Sequence, residues 1–371
     1  MVKNFSIFNL LLSVCLFLSS CDSNPYYNPD RLLVLEDVNI SDTLVGEKLI
    51  PQFGIVSKLY YSDSYLIGLT AQSSRFFEIC RPESDTCITS FGEYGRTKND
   101  FINAPYELYI KENSGSHELY LADENAHLTK VIDLEKSYFY GKVVVTKTIR
   151  RPNQLSGFEY HLIYRNEKDW AYYKELSYKD ARDNLYYSPN YAIRKQGEDT
   201  EFDIYPSVIP IKDYEVMSMA YAGEFEVSPD LTKCVLVHRF IDIIDIFDID
   251  KEKVIGVMGK DSYGFDLFSS ISDVSVLMNR VKAFNINASV TNNYIFQLKS
   301  NLSISEILKI EEGDNIPYSS IVVVSNWEGK ILHKFIIDNT LRAIAYDEDN
   351  KVLYGVDDDG ILFKYSIGSY L

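Results

Sequence analysis

Residues that build catalytic and metal centres are scarce in this sequence, and they are not grouped. The five histidines stand singly, so neither a His-Glu-x-x-His motif nor a His-x-His pair is present. A Gly-x-Ser-x-Gly nucleophile elbow and a glycine-rich phosphate loop are also absent. We therefore identify no catalytic residue, no cofactor-binding residue and no metal ligand from the sequence. A calcium or zinc site made of carboxylates from distant segments would leave no local motif, and it stays open.

Positive charge is also in short supply. The chain has 37 Lys and Arg residues against 54 Asp and Glu residues, which gives a formal net charge of −17. A nucleic-acid-binding surface needs basic side chains that displace counterions from phosphates. Nucleic acid is therefore not an expected partner. An excess of acid is typical of a solvated surface, with recruitment of a cation or a basic partner as the alternative.

Two groups of aspartates could indicate calcium, but their spacing favours turns. Asp242 and Asp245 fall among apolar strand residues, and Asp248 and Asp250 belong to a polar turn. The Asp-Asp-Asp-Gly run at residues 357–360 lacks the alternating oxygen ligands and the distal glutamate of an EF-hand loop. Both groups are interpreted as hairpin chemistry.

The N-terminus carries an apolar run that is too short to cross a bilayer. Residues 7–18 are apolar except for Asn9 and Ser13, about a dozen residues against the roughly 20 that a spanning helix requires. Lys3 precedes the run and small residues follow it, which is the layout of a signal peptide. Residues 18–21, Leu-Ser-Ser-Cys, resemble the bacterial lipobox.

The lipobox resemblance implies a lipoprotein. Residues 1–20 would be a cleaved signal peptide, Cys21 would carry the lipid, and residues 21–30, which contain two prolines, would form a tether. Attached acyl chains hold a protein lastingly at a lipid bilayer, which is the expected partner. The expected location is the bacterial cell envelope, at the outer membrane rather than the inner one, although Asp22 leaves the leaflet open. An ordinary secretory peptide or an uncleaved anchor is the alternative.

Four cysteines remain after cleavage, and two of them are close in sequence. Cys80 and Cys87 flank a polar turn between two apolar segments, so a hairpin would bring them together in an oxidising compartment. A disulfide there would stabilise the chain by about 2.5 kcal/mol. Two free thiols are the alternative, because the bond forms only if the Cβ atoms face each other. Cys234 is expected to be a small buried hydrophobe in a strand.

From residue 31 onwards the sequence is typical of an all-β domain. Short runs rich in Val, Ile, Tyr and Phe are separated by Asn, Asp, Gly and Lys. Four stretches share one layout, in which two strands flank a short polar turn: residues 75–92, 129–145, 241–258 and 321–337. Repeated antiparallel sheets of this kind predict a β-propeller. We predict a single domain over residues 31–371 with six blades; seven blades or a β-sandwich are the alternatives.

The remaining segments complete the expected propeller. Candidate inner strands precede the repeats, at residues 65–70, 118–123, 234–239 and 294–298. Residues 160–205 are expected to form the third blade with long loops. Residues 31–35 or 43–50 are expected to pair with the last blade and close the ring. A capping box from Ser303 to Glu306 predicts a short helical insertion at residues 303–312.

One segment resembles a known family. Residues 91–96, Phe-Gly-Glu-Tyr-Gly-Arg, followed by Phe101 and Pro105, are similar to a segment of six-bladed propeller lipoproteins from Bacteroides-like bacteria, often described as TolB-like or NHL-like. The chain departs from that pattern at residues 97–100, where the family has Gly-Pro-x-Glu. The resemblance implies a fold rather than an activity: the two glycines would take positive φ between blades, and Phe101 would seal the space between sheets.

These features favour a binding protein over an enzyme. We expect an anchored envelope lipoprotein whose propeller end face binds a protein, a peptide or a glycan through loops and exposed aromatic residues. The alternative is a metal-dependent lactonase or lyase with its site in the central channel, where several Asp, Glu, Asn or His side chains would converge. An accessory of nutrient uptake at the outer membrane is a third possibility.

Overall fold

Strands make up most of the described residues in a computed structural model, and the β-branched and aromatic residues of the sequence account for them. The structure describes residues 29–34, 41–70, 74–83, 89–105, 108–113, 116–151, 160–166, 169–181, 184–195, 222–259, 279–300, 302–311 and 320–371, together with Phe268 and Val276. The strands are β1 (Arg31–Val34), β2 (Asp42–Leu44), β3 (Glu47–Gln52), β4 (Lys58–Ser62), β5 (Tyr65–Leu69), β6 (Phe77–Cys80), β7 (Thr89–Phe91), β8 (Leu108–Asn113), β9 (Ser116–Asp123), β10 (Leu128–Ile132), β11 (Val145–Arg150), β12 (Tyr160–Asn166), β13 (Asp169–Ala181), β14 (Asn184–Lys195), β15 (Gly223–Val227), β16 (Lys233–His238), β17 (Ile243–Asp248), β18 (Lys253–Met258), β19 (Asn285–Val290), β20 (Tyr294–Lys299), β21 (Ser320–Asn326), β22 (Ile331–Ile337), β23 (Ala343–Asp347), β24 (Val352–Val356) and β25 (Ile361–Ser366).

Five of the sheets are the blades of a propeller, which confirms the predicted fold. Blade 1 is β4-β5-β6-β7, blade 2 is β8-β9-β10-β11, blade 3 is β15-β16-β17-β18, blade 4 is β19-β20-β21-β22, and blade 5 is β23-β24-β25-β3. The first strand of each blade, β4, β8, β15, β19 or β23, faces the axis, because residues from all five line one cavity. The prediction of six blades is wrong; the described residues form a ring of five.

The segment predicted as the third blade forms a sheet beside the ring instead. β12, β13 and β14 make a three-stranded antiparallel sheet, while residues 196–205 lie outside the described residues. Ile163 and Tyr164 of this sheet share an apolar cluster with Tyr109 of blade 2 and Phe225 of blade 3. The sheet therefore fills a wedge between these two blades, and none of its described residues lines the axial cavity. The prediction of six blades had counted the residues of this inserted sheet as one blade.

The N-terminal segment covers the outer edges of three successive blades. β1 pairs in parallel with β18 of blade 3, β2 in parallel with β22 of blade 4, and β3 antiparallel with β25 of blade 5. Each pairing satisfies the backbone groups of an otherwise open edge. The second of the two predicted closing segments, residues 43–50, thus overlaps the strand that completes the last blade. Residues 31–34 pair with blade 3 instead.

The helices α1 (Leu134–Tyr140) and α2 (Ile304–Glu311) interrupt the strands. The predicted insertion is confirmed by α2, whose capping box has the Ser303 amide donating to Glu306 Oε2 at 2.7 Å and the Glu306 amide donating to Ser303 Oγ at 3.2 Å. Between β10 and β11 the sequence predicts only a polar turn, but α1 forms there. Its N-cap is Asp133, and Gly141 ends it in the left-handed conformation at φ +60°.

The connection after blade 1 agrees in part with the family resemblance. Gly92 has a φ of +86°, and a Cβ there would lie 2.6 Å from the Phe77 ring, so the position requires glycine. Gly95 does not adopt a positive φ; its amide donates to the Phe101 carbonyl at 3.0 Å. Phe101 is fully buried and packs with its ring centroid 6.1 Å from that of Phe76. Phe101 also belongs to one apolar cluster with Leu119 and Leu121 of blade 2, so the predicted seal between blades is confirmed.

Candidate functional site

An axial channel between the five inner strands opens into a cavity at each end. The cavity at the end where the inner strands finish, here named the acidic mouth, has a volume of about 480 Å³. The cavity at the end where they start, here named the apolar mouth, has a volume of about 510 Å³. The acidic mouth is lined by Tyr60, Tyr61, Ser62, Asp63, Ser64, Tyr109, Ile110, Glu226, Val227, Pro229, Ser289, Val290, Thr291, Asn292, Asn293, Tyr346, Asp347, Glu348, Asp349 and Asn350. The apolar mouth is lined by Ser57, Lys58, Leu69, Ala104, Pro105, Glu224, Arg239, Ala283, Asn285, Ile286, Ser300, Leu302, Ile307, Leu341, Arg342 and Asp358.

Lys58 bridges the channel between the two mouths. Its Nζ lies 3.1 Å from Glu224 Oε2 and 3.0 Å from Glu226 Oε1. Lys58 belongs to blade 1 and both glutamates belong to blade 3, so the ion pairs reach across the ring past blade 2. Lys58 and Glu224 line the apolar mouth, whereas Glu226 lines the acidic mouth. The three side chains form a polar partition in the channel.

Strand alternation explains why two acidic residues meet on the axis. Successive side chains of a strand point to opposite faces, so Glu224 and Glu226 of β15 share one face and Phe225 points to the other. Phe225 stacks there on His161 of the inserted sheet, with ring centroids 5.0 Å apart. The apolar side of the strand is thus anchored in the wedge, and its acidic side is presented to the channel.

Burial and charge act in opposition within the partition. Burial alone would lower the pKa of Lys58, but the charges of Glu226 and Glu224, with Tyr60 beside them, hold that pKa well above its ordinary value. Burial raises the pKa of Glu226 to about 7, and the neighbouring Lys58 limits the rise. Burial, reinforced by Glu226, also raises the pKa of Tyr60, so its hydroxyl stays protonated. Lys58 therefore stays charged near neutral pH, and Glu226 keeps its proton to a higher pH than an exposed glutamate does.

Hydrogen bonds hold the loops of blades 4 and 5 together at the acidic mouth. Asn293 Nδ2 donates to Glu348 Oε1 at 2.6 Å, and the Tyr346 amide donates to Ser289 Oγ at 3.2 Å. The carboxylate of Asp347 accepts from the backbone and side-chain amides of the residue that ends its turn, at 3.1 and 2.8 Å. These bonds hold the loops in place without a ligand. Binding therefore costs less conformational entropy of the loops.

The apolar mouth carries its cations in pairs with carboxylates. Arg239 Nη2 lies 2.6 Å from Glu224 Oε1, and Arg342 Nη1 lies 3.3 Å from Asp358 Oδ1. Leucine, isoleucine, alanine and proline side chains form much of the remaining wall, and α2 contributes Ile307. The two mouths thus differ in chemistry although they share one channel.

Two of the three cysteines that were predicted to carry a lipid or to form a disulfide lie outside the described residues. Cys21 and Cys87 are both outside them, so lipidation and the disulfide stay predictions. Cys80 is buried in β6, where burial raises the pKa of its thiol to about 12. Cys234 is buried in β16, which confirms its expected place in a strand.

The prediction of hairpin chemistry holds for two of the aspartates, Asp248 and Asp357. Asp248 Oδ1 accepts from the Lys251 amide at 2.9 Å, and Asp357 Oδ1 accepts from the Ile361 amide at 2.8 Å, as turn residues do. The others pair with cations of neighbouring elements or, in one case, with a histidine: Asp242 with Lys299, Asp250 with Arg165 at 2.6 Å, and Asp245 with His238 at 2.9 Å. The pair of Asp245 and His238 is almost completely buried in blade 3. No motif in the sequence indicated this pair.

A metal centre on the axis would need ligands that converge there. In the part of the chain that the structure describes, no three His, Cys, Asp or Glu side chains are grouped to hold a metal ion. The two axial glutamates are bonded to the Lys58 ammonium. No observed arrangement therefore favours the lactonase-like alternative.

Comparisons with known proteins give only distant likenesses. The sequence matches no protein-family model and no curated protein. A Bacteroides fragilis protein described as exported is 8% identical, with a TM-score of 0.49, over 90% of this chain and 98% of its own. A member of the DUF4221 family from Bacteroides vulgatus is 11% identical, with a TM-score of 0.48, over 87% and 94%. The β-propeller domain of Myceliophteria thermophila Cps50 (Swd1) is 11% identical, with a TM-score of 0.43, over 89% and 99%.

At these identities and TM-scores, no activity, ligand or location can be carried over to this chain. The described residues include no helix that combines the length and the apolar character needed to cross a bilayer.

Proposed function

We propose that this chain is a lipid-anchored binding protein of the bacterial cell envelope, whose acidic mouth holds a peptide, protein or glycan ligand. The observation that carries the proposal is the acidic mouth itself, a cavity of about 480 Å³ to which all five blades contribute. Concave sites with a few convergent polar groups are the usual form of a ligand site. The anchor is inferred from the lipobox-like residues 18–21 and from Cys21.

The chemistry of the channel supports binding rather than turnover. The charged groups closest to the axis satisfy one another, because the Lys58 ammonium lies within 3.1 Å of both Glu224 and Glu226. The mouth above this partition is lined by tyrosines, hydroxyls, amides and carboxylates, which form hydrogen bonds and stacking contacts with hydrophilic ligands.

Screening the soluble domain against peptide and glycan libraries tests the proposal. Residues 22–371, which omit the lipidated cysteine, would be probed on both kinds of array, with and without Asn293→Trp. Asn293 is exposed on the rim of the acidic mouth, so an indole there should obstruct the cavity. Thr148→Trp is the matched control, because Thr148 is exposed on β11 at the outer edge of blade 2.

We expect ligands that bind the wild type and Thr148→Trp and are lost with Asn293→Trp. Failure of both libraries to yield a ligand, or ligands that bind Asn293→Trp as well as wild type, would contradict the proposal.

A further inference from the structure

Acidic side chains outnumber basic ones in the wall of the acidic mouth. Its lining includes five carboxylates, those of Asp63, Glu226, Asp347, Glu348 and Asp349, and contains no lysine, arginine or histidine. Glu226 is paired with Lys58, so the excess of negative charge lies with the carboxylates of the blade 5 loop, Asp347, Glu348 and Asp349. Within the described part of the chain, the mouth is therefore a concave region of negative potential, and the walls of a cleft focus such a field.

A second feature of the same wall points to a ligand. Ser62 lines the mouth and is only 3% exposed, yet its Oγ has no hydrogen-bond partner among the described residues. A buried hydroxyl without a partner costs stability. A ligand group that donates a hydrogen bond would satisfy this oxygen.

The tyrosines of the mouth suit a cation with an apolar stem. Tyr60, Tyr61, Tyr109 and Tyr346 contribute to the wall, and Tyr61 is partly exposed and stacked on Tyr354 with centroids 5.8 Å apart. Aromatic faces attract ammonium and guanidinium groups and pack against the methylene stems of lysine and arginine.

We infer that the ligand of the acidic mouth is a basic peptide segment, from which a lysine or arginine side chain enters between the tyrosines and the carboxylates. This inference rests on the proposed function and narrows its ligand class. Charge complementarity carries the choice, since a cation is attracted by the carboxylates, a neutral glycan gains only hydrogen bonds from them, and an acidic glycan is repelled.

The test uses a fluorescein-labelled peptide of alternating glycine and lysine, with residues 22–371 as the receptor and fluorescence anisotropy as the readout. The same peptide with acetylated lysines keeps the length and the stems but removes the charge. A peptide of alternating glycine and glutamate reverses the charge. Raising the salt from about 0.1 M to about 1 M shortens the screening length from about 10 Å to about 3 Å.

A double variant, Glu348→Gln with Asp349→Asn, removes two charges from the rim while preserving side-chain shape. Glutamine at 348 retains an oxygen that can accept from Asn293 Nδ2. The matched control, Glu93→Gln with Glu135→Gln, removes two exposed charges from outside the mouth. Thermal unfolding of both double variants establishes that each is folded before binding is measured.

We expect the lysine peptide to bind and the acetylated and glutamate peptides to fail. The rim variant should weaken binding by about 2- to 30-fold and the control variant by less than about 2-fold. Equal binding of the lysine and acetylated peptides, or equal losses in both variants, would overturn the inference. A glycan that binds the mouth while the lysine peptide does not would overturn the ligand class alone and would leave the proposed function standing.

Discussion

Replacing Glu226 by glutamine should change how the stability of the domain depends on pH. Burial raises the pKa of Glu226 from 4.5 to about 7. The folded state therefore binds this proton more tightly than the unfolded state, so the contribution is fully present below pH 4.5 and is lost as pH rises through the folded pKa. At about 1.4 kcal/mol per pKa unit, the full loss amounts to about 3 kcal/mol. The glutamine variant has no such proton and should lack this loss.

Urea unfolding of residues 22–371 between about pH 4 and about pH 8 measures the effect as a difference between variant and wild type. The unfolding free energy of Glu226→Gln minus that of wild type should rise by up to about 3 kcal/mol across this interval. Val227→Ala, a change on the same strand that does not titrate, should give a constant offset instead. A difference for Glu226→Gln that stays flat, or that falls as pH rises, would refute the assignment of the buried proton to Glu226.

Three further predictions concern the partition, a blade connection and the anchor. Lys58→Met leaves two buried glutamates without their counter-charge, and it should lower the unfolding free energy by about 3 to 5 kcal/mol near neutral pH in urea titrations. A loss below about 1 kcal/mol would show that the pairing contributes little. Gly92→Ala forces a side chain into a positive-φ position beside the Phe77 ring, and thermal unfolding should report a loss of about 1 to 3 kcal/mol. Gly368→Ala should have little effect, because its nearest contact would be 3.4 Å; similar losses for both variants would contradict this reasoning. In a bacterial host given labelled palmitate, the full chain should be labelled and recovered with membranes, and Cys21→Ala should be neither. Labelling of that variant would place the lipid elsewhere.

The sequence pattern predicted the outer strands of the blades but missed the innermost ones. The candidate inner strands at residues 118–123 and 234–239 are in fact the second strands β9 and β16. Second strands are apolar on both faces because neighbouring blades bury them, so they stand out as continuous apolar runs. The inner strand β15 reads Gly-Glu-Phe-Glu-Val, in which polar residues for the channel interrupt the apolar ones. Such strands resemble loops when only the apolar content is considered.

The blade number was wrong for a related reason. Residues 160–195 have the composition of a blade, and strand content alone does not show whether a sheet reaches the axis. The long strands β13 and β14, of 13 and 12 residues, distinguish this sheet from the strands of 3 to 8 residues found in the blades. Strand length was the signal in the sequence that could have separated the insertion from the ring.

The candidate site could not be predicted from local motifs. Lys58 and Glu226 are 168 residues apart, and only closure of the ring brings them within 3.0 Å. The alternation of glutamates around Phe225 is typical of a strand with one polar face, but this strand was not among the predicted ones. The partner of these glutamates cannot be found in a local pattern, because closure of the ring places Lys58 of blade 1 opposite blade 3.

The central claim is that ligand binds at the acidic mouth, and photo-crosslinking tests it most directly. A glycine and lysine peptide carrying a photoreactive group would be crosslinked to residues 22–371, and the modified residues would be mapped by mass spectrometry. We expect crosslinks in the loops at residues 61–64, 289–293 and 346–350, which three different blades contribute to one cavity. Crosslinks confined to the apolar mouth or to the outer blade edges, or the absence of specific crosslinks, would contradict it.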